Sequence, residues 1–456
     1  MPEQSLFYFN QMVEKGLKPT SNTFNSVLSC LIKHELFEKA CWAFDQTHGV
    51  LELNCYSFRI MIKGCCGVGD LNKGFELLDQ MGKMGWPPDI VSYNVLIDGC
   101  CKNGHIGEAK KLFLELGRLG LVADDFSYTS MINGYFKKGF KKNGFELYEE
   151  MKARGVVPNV YTYNMMINKH CRDGNLDKGL ELFDEMGERG VAYNLVTYNT
   201  LIRGLFRGKK CWEAEKLVAD MRKAGLSPDT ITYNTVIDGY CRARKLNKAL
   251  MTFDQMKASD QSISLVTYNV LIGGFSRAGD LAGVGKFVKQ MEKEGLTPSK
   301  VTYTILIDSF IKSGNIEKAF EIHSSMERAG LISDVYTYGV LIHGLCVEGN
   351  MKDALKLFTA MFEHHLEPNN VIYNTMIYGY SKQGSSYRAW AFIQEMGDKG
   401  MVPNMASYRL TIIVLCRDGK WQEAETLFNE MVGSGLQPNY SIYAAILEAK
   451  EKFGSK

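Results

Sequence analysis

The 456-residue sequence carries almost no net charge: 53 Lys and Arg stand against 51 Asp and Glu, leaving +2. A uniformly basic surface is therefore excluded, and any polyanionic partner needs its cations gathered locally. Long apolar runs are also missing. Stretches such as Leu410 to Leu415 fall far short of the roughly 20 residues that a membrane span needs, so no membrane partner is expected. Twelve cysteines occur without a single Cys-x-x-Cys, and two pairs (Cys65–Cys66, Cys100–Cys101) are adjacent, which is poor geometry for holding one ion. Packed thiols in a reducing compartment are expected, with no metal and no cofactor. Eight scattered histidines form no ligand set and no triad, so no catalytic residue is expected. The first dozen residues have neither the order of a secretory signal nor the Arg/Ser-rich character of a transit segment.

What is present is a period. Met151, Met186, Met221, Met256, Met291, Met326, Met361, Met396 and Met431 stand 35 apart, and Tyr93 through Tyr443 keep the same beat. A fixed period of this length means a repeat architecture. With the aromatic set at slot 4, twelve repeats follow: 21–54 (one residue short), 55–89, 90–124, 125–159, 160–194, 195–229, 230–264, 265–299, 300–334, 335–369, 370–404 and 405–439. Residues 1–20 read as the second half of an earlier repeat, and 440–456 as the start of a further partial one or cap.

Within repeat 195–229, Tyr198, Leu201, Ile202 and Leu205 recur at helical spacing, as do Ala214, Leu217, Val218 and Met221, which predicts two helices. Slot 3 is Ser or Thr in eleven of twelve repeats and is expected to cap the first helix. Slot 15 is Gly in nine repeats and stops that helix. Slot 20 is Ala or Gly in eleven repeats, Val284 excepted, so two backbones can approach closely. A helical hairpin this small cannot bury its apolar face alone; neighbours must stack. Six cysteines share slot 12 (Cys66, Cys101, Cys171, Cys241, Cys346, Cys416), the pattern of a packing column.

Three slots outside the apolar stripe vary only within narrow chemical limits. Slot 5 is Asn25, Asn94, Asn164, Asn199, Asn234, Asn269 or Asn374, and Thr129 or Thr304; Arg59, Gly339 and Arg409 depart from this. Slot 35 holds only Asp, Asn or Ser, among them Asn54, Asp124, Asn159, Asn194, Asp229, Ser264, Ser299, Asp334 and Asn404. The two slots project from the same end of adjacent layers as one polar pair per layer. Such a pair can address a base edge: Asp accepts from a ring N–H, whereas an Asn amide or Ser hydroxyl donates to a bare ring nitrogen. Residues of these types before a helix also bond to local backbone, which alone could explain slot 35. Slot 13 is Lys or Arg in ten of twelve repeats, including Lys102, Lys137, Arg172, Arg207, Arg242, Arg277, Lys312 and Lys382, where chance predicts about one or two. A column of cations suits phosphates, although a cation at a helix end also complements its dipole. Slot 2 is apolar at Tyr56, Val91, Phe126, Tyr161, Val196, Ile231, Val266, Val301, Tyr336 and Val371, and can wedge between bases.

Repeats such as LVTYNTLIRGLFRGKKCWEAEKLVADMRKAGLSPD (195–229) resemble the pentatricopeptide repeat family in its pure 35-residue form, over essentially the whole chain. The resemblance implies an all-α, right-handed superhelical solenoid of stacked helix-turn-helix repeats that binds single-stranded RNA, one base per repeat. It further implies an organellar transcript as partner, in the mitochondrion or alternatively the chloroplast, with splicing, stabilisation, end processing or translation as the outcome. Protein cofactors of RNA processing are compatible with it, and no small-molecule substrate is implied. By the family's two-residue code, Asn94/Asp124 and Asn199/Asp229 imply U, Thr129/Asn159 implies A, and Thr304/Asp334 implies G. Asn234/Ser264 and Asn269/Ser299 imply C, while Asn25/Asn54, Asn164/Asn194 and Asn374/Asn404 imply a pyrimidine. The implied site is 5′-Y-N-U-A-Y-U-C-C-G-N-Y-N-3′.

Two rival classes are weaker. Relatives with a zinc deaminase domain carry His-x-Glu followed by Cys-x-x-Cys; His365-Leu366-Glu367 supplies the first without the second. A helical-repeat scaffold for protein partners is the other alternative, but the period is 35 and the Trp-x-x-Leu-Gly signature of 34-residue repeats is absent. The code makes a direct prediction: Asn199→Thr switches that repeat from U to G, measured by affinity for two oligonucleotides differing at one base. Equal response of variant and parent to both RNAs contradicts it.

Overall fold

The computed structural model describes residues 2–17, 19–47, 51, 53–259 and 261–454, without the side chains of Glu3 and Val13. Twenty-six α-helices run through the described residues in an all-α helical repeat solenoid. First helices such as Ile90–Lys102, Asp125–Lys137 and Lys300–Lys312 fill slots 1 to 13; second helices such as Ile106–Arg118, Lys141–Ala153 and Ile316–Arg328 fill slots 17 to 29. The chain forms two compact units, Met1–Leu201 and Ile202–Lys456.

A helix of 13 residues is marginal alone in water, so packing must hold these in place. In the first compact unit, Tyr93, Leu96, Ile97 and Cys100 of one first helix are buried together with Ala109, Leu112 and Leu116 of the second. In the second unit Tyr338, Leu341, Ile342 and Leu345 are buried with Ala354, Phe358 and Met361. Each such aliphatic or aromatic side chain contributes about 1.5–3 kcal/mol when fully buried. The small slot 20 residues lie inside this contact: Ala109, Ala249, Ala319, Ala354, Ala389 and Ala424 are fully buried, and Val284 is accommodated there too.

The cysteine column has a geometric cause. Slot 10 is often glycine, and the slot 12 side chain of the preceding layer occupies the volume where a Cβ would stand. A Cβ on Gly99 would lie 2.1 Å from Cys66 Sγ, on Gly274 2.2 Å from Cys241 Sγ, and on Gly134 2.6 Å from Cys101 Sγ. The same socket takes Phe206 over Gly239 and Ile311 over Gly344. Burial pushes the thiols of Cys101, Cys241 and Cys346 up to about 12, so they remain neutral.

One expectation is corrected. Slot 3 is not the N-cap of the first helix; it is the third helical residue, and slot 35 of the preceding repeat is the cap. Asn54, Asp89, Asp124, Asn159, Asp229, Ser299, Asp334, Asn369, Asn404 and Asn439 each accept a first-turn amide through their side chains. The slot 3 hydroxyl answers in a reciprocal capping box at Asn54/Ser57, Asp124/Ser127, Ser264/Thr267 and Ser299/Thr302. Ser and Thr suit either role, which is why their identity alone does not distinguish cap from third residue.

The turn after the first helix is more demanding than a preference for glycine suggests. Three repeats without Gly at slot 15 keep the left-handed backbone: Glu35 at φ 63°, Lys209 at φ 60° and Arg244 at φ 57°. A side chain in that region costs roughly 1–2 kcal/mol, partly offset by glycine's greater freedom when unfolded. Arg244→Gly is therefore expected to stabilise the protein by about 0.5–1 kcal/mol. A denaturation midpoint that falls in the variant contradicts this.

Candidate nucleic-acid interface

At several seams within each compact unit, side chains of slots 5, 35 and 3 form a hydrogen-bonded cluster. In repeat 90–124, Asn94 donates through Nδ2 to Asp124 Oδ1 at 2.9 Å and Oδ2 at 3.2 Å. Asp124 Oδ1 in turn accepts the Ser127 amide at 2.8 Å. The Ser127 hydroxyl lies 2.5 Å from Asn94 Oδ1 and 2.8 Å from Asp124 Oδ1, so its one proton serves either acceptor. The pairing recurs at Asn25–Asn54 (3.2 Å) and Asn164–Asn194 (3.3 Å). In the second compact unit, Thr302 donates to Asn269 Oδ1 at 2.8 Å and Ser407 to Asn374 Oδ1 at 2.7 Å. Where slot 5 is Thr, hydroxyl meets hydroxyl: Thr129 with Thr162 at 2.6 Å and Thr304 with Thr337 at 3.0 Å.

This cluster gives slot 5 a structural role that its sequence did not disclose. Asn25, Asn94, Thr129, Asn164, Asn199 and Thr304 are buried, whereas Asn234, Asn269 and Asn374 are half-buried. Satisfying the next layer's hydroxyl and cap is reason enough for Asn there. The chain supplies an internal control. Gly339, the one slot 5 with no side chain, is followed by Ile372, the one slot 3 without a hydroxyl among the twelve repeats. Ile372 is buried, and its Cγ1 stands 3.4 Å from where a Gly339 Cβ would be. An apolar plug replaces the polar bond. The amide oxygens of Asn25, Asn164 and Asn234 are buried without a partner, a cost of about 1–3 kcal/mol each unless a donor arrives.

Slots 2 and 13 lie outside the core. Phe126, Tyr161, Ile231, Val266, Val301, Tyr336 and Val371 are all exposed, Tyr336 to 71%, although each is large and apolar. Lys102, Lys137, Arg172, Arg207, Arg242, Arg277, Lys312 and Lys382 are exposed as well. In the second compact unit these slots converge on a groove of about 340 Å³, lined by Arg207, Ile231, Asn234, Arg242 and Val266 from successive layers. Arg203 and Asp238 also line it. Ser264, the expected partner of Asn234, is not among its lining residues.

Acidic residues at slot 9 were not anticipated from the sequence, although their i, i+4 spacing to slot 13 was there to be read. Asp98 pairs with Lys102 at 2.6 Å, Asp238 with Arg242 at 2.6 Å and with Arg277 at 3.2 Å, and Asp308 with Lys312. Exposed pairs of this kind are worth about 0–1 kcal/mol, so the cations remain available to an anion. Among the described residues, no group of three or more His, Cys, Asp and Glu could hold a metal ion, and no helix is long and apolar enough to cross a membrane.

Arg59, like Arg409, departs from the slot 5 pattern. It forms an ion pair with Asp89 through Nη2, and its Nε donates to Ser92 Oγ at 3.3 Å. Burial alone would raise the Asp89 carboxyl, but its bonds from the Ser92 amide and hydroxyl and the Arg59 guanidinium hold it below the usual carboxylate range.

The model of the PPR repeat family matches residues 53–102, 88–137, 123–172, 162–207, 193–242, 228–275, 263–312, 301–347 and 368–417. The PPR repeat model matches 22–47, 336–366 and 406–436. The chain belongs to the pentatricopeptide repeat family. It is similar to the Arabidopsis thaliana pentatricopeptide repeat-containing protein At4g11690, at 51% identity over 87 residues, covering 19% of this chain and 15% of that protein. A second Arabidopsis thaliana pentatricopeptide repeat-containing protein, At4g21170, is 34% identical over 73 residues, 16% of this chain and 12% of its own length. These matches thus span less than a fifth of either curated relative. A crystal structure of the pentatricopeptide repeat protein PPR10 from maize shares the fold, with a TM-score of 0.60 at 22% identity, covering 98% of this chain and 73% of that one.

The seam cluster is open to test through its hydroxyl. Thr302→Val keeps the shape but leaves Asn269 Oδ1 without its donor and Ser299 without its reciprocal partner. A loss of about 1–3 kcal/mol is expected in chemical denaturation; an unchanged midpoint would show that the seam bonds carry no weight.

Proposed function

We propose that this chain binds single-stranded RNA, one base to a layer, as a sequence-selective adaptor and not as a catalyst. The observation that carries this reading is the groove of the second compact unit, where cations, exposed apolar side chains and a slot 5 amide from successive layers converge. Each kind of group has a complement on a single strand. Arg207 and Arg242 suit phosphates. Ile231 and Val266 suit the flat faces of a base between them. The Asn234 side chain, which lines the groove, suits a base edge. The slot 5 and slot 35 pairs of the other repeats, the exposed slot 2 residues and the slot 13 cations are proposed to do the same in their own layers. We place the target in a mitochondrial or chloroplast transcript, as membership of the family suggests.

A 12-nucleotide RNA in the order 5′-CAUACUCCGACA-3′ tests this by fluorescence anisotropy. Affinity is expected to exceed that for a scrambled RNA and to fall with salt, with a slope of about −0.7 per phosphate contacted. Replacing both Arg207 and Arg242 by Gln should flatten that slope by about 1.4, twice the single-contact value. Equal, salt-independent binding of ordered and scrambled RNA overturns the proposal.

A further inference from the structure

We propose that Arg59 makes repeat 55–89 a spacer, a layer that holds a base in register without discriminating among the four. The inference rests on the RNA-binding reading above and goes beyond it, because it concerns how one layer is prevented from choosing.

The contrast with the next repeat carries the argument. In repeat 90–124 the cap carboxylate of Asp124 uses Oδ1 for the helix amide, and Oδ2 meets only a neutral amide at 3.2 Å. An incoming ring N–H can share that oxygen. In repeat 55–89, Asp89 Oδ1 is likewise spent on the Ser92 amide at 3.0 Å and lies 2.9 Å from the Ser92 hydroxyl. Its Oδ2, however, is held by the Arg59 guanidinium, and Arg59 Nε is anchored on Ser92 Oγ at 3.3 Å. The Arg59 side chain is only 20% exposed, so it fills the space between slot 5 and the cap. A base would have to displace a charge-assisted bond with a neutral one, an exchange that favours the protein's own pair.

The remaining guanidinium N–H groups do not restore a choice. Every base offers a carbonyl or ring acceptor at its edge, so these donors meet all four alike. Tyr56 at slot 2, exposed to 55%, provides a face on which any base can stack. The same layer has Gly67 at slot 13 in place of a cation. Repeat 55–89 therefore offers neither the acceptor nor the phosphate contact that its neighbours offer, only a stacking platform.

The test uses the full chain and the 12-nucleotide RNA above, with position 2 (repeat 55–89) or position 3 (repeat 90–124) varied through all four bases. The wild-type chain is expected to bind the four position 2 RNAs within about twofold of one another, yet to prefer uracil at position 3 by about tenfold. Arg59→Asn frees Asp89 Oδ2 and should create a preference of about tenfold for uracil over cytosine at position 2, because only uracil presents a ring N–H there. Arg59→Thr, a residue type this fold already carries at slot 5, is the second variant should the first fail to fold, with helical content by circular dichroism as the check. Discrimination of more than fivefold at position 2 by the wild-type chain, with position 3 also selective, overturns the spacer alone. Either variant, once shown to be folded, that remains indifferent at position 2 also overturns it. Indifference at both positions overturns the RNA reading itself, and the spacer with it.

Discussion

The structure turns on the opening amides of each first helix, which have no partner within the helix and must find one before the chain enters it. Slot 35 supplies that acceptor, and it does so at the seam where one layer meets the next. Because the cap side chain also meets slot 5 of the preceding layer, at Asn25–Asn54, Asn94–Asp124 and Asn164–Asn194, capping a helix and joining two layers use the same atoms. The slot 3 hydroxyl and the slot 5 amide complete the cluster from both sides. Three side chains from two repeats thus meet at one point, and in the second compact unit the slot 5 residue Asn234 borders the groove lined by Arg207, Ile231, Arg242 and Val266.

In this arrangement structural necessity and the proposed recognition fall on the same atoms. Asp124 needs one carboxylate oxygen for its helix and retains another, while Asn94 needs its amide for Asp124 and its oxygen for Ser127. Rigidity follows, since a side chain bonded on two sides has little rotamer freedom left to lose on binding. Where the slot 5 to slot 3 bond is lost, at Gly339 and Ile372, the layer stays packed and keeps the cap bonds of Asn369, whose Oδ1 accepts the amides of Val371 and Ile372.

Much of this was legible from residue identities. The period, the two helices, the burial of slots 4, 7 and 8, the small slot 20 and the exposure of slots 2 and 13 all follow from spacing and side-chain type. The cysteine column was legible as packing, though not its socket: that slot 12 fits over the next layer's slot 10 glycine depends on the stagger between helices, which periodicity does not encode. The cap lies three residues before the position that slot 3 suggested, since Ser and Thr serve equally as cap and as third residue. The slot 9 acids went unnoticed because Asp98, Asp238 and Asp308 occupy only some repeats, so no column announces them. Glu35, Lys209 and Arg244 break the glycine pattern at slot 15 yet keep its backbone, because the packed helices on either side dictate the turn.

The seam has a consequence for anyone recombining such modules. A block excised at the boundaries of the period, residues 90 to 124, takes Asn94 and Asp124 with it but leaves Ser127 behind in the parent chain. Shifting the cut to just after slot 3, so that the transplanted segment ends at Ser127, carries the whole trio into its new host. The cassette that transfers intact is therefore still 35 residues long but out of phase with the repeat by three.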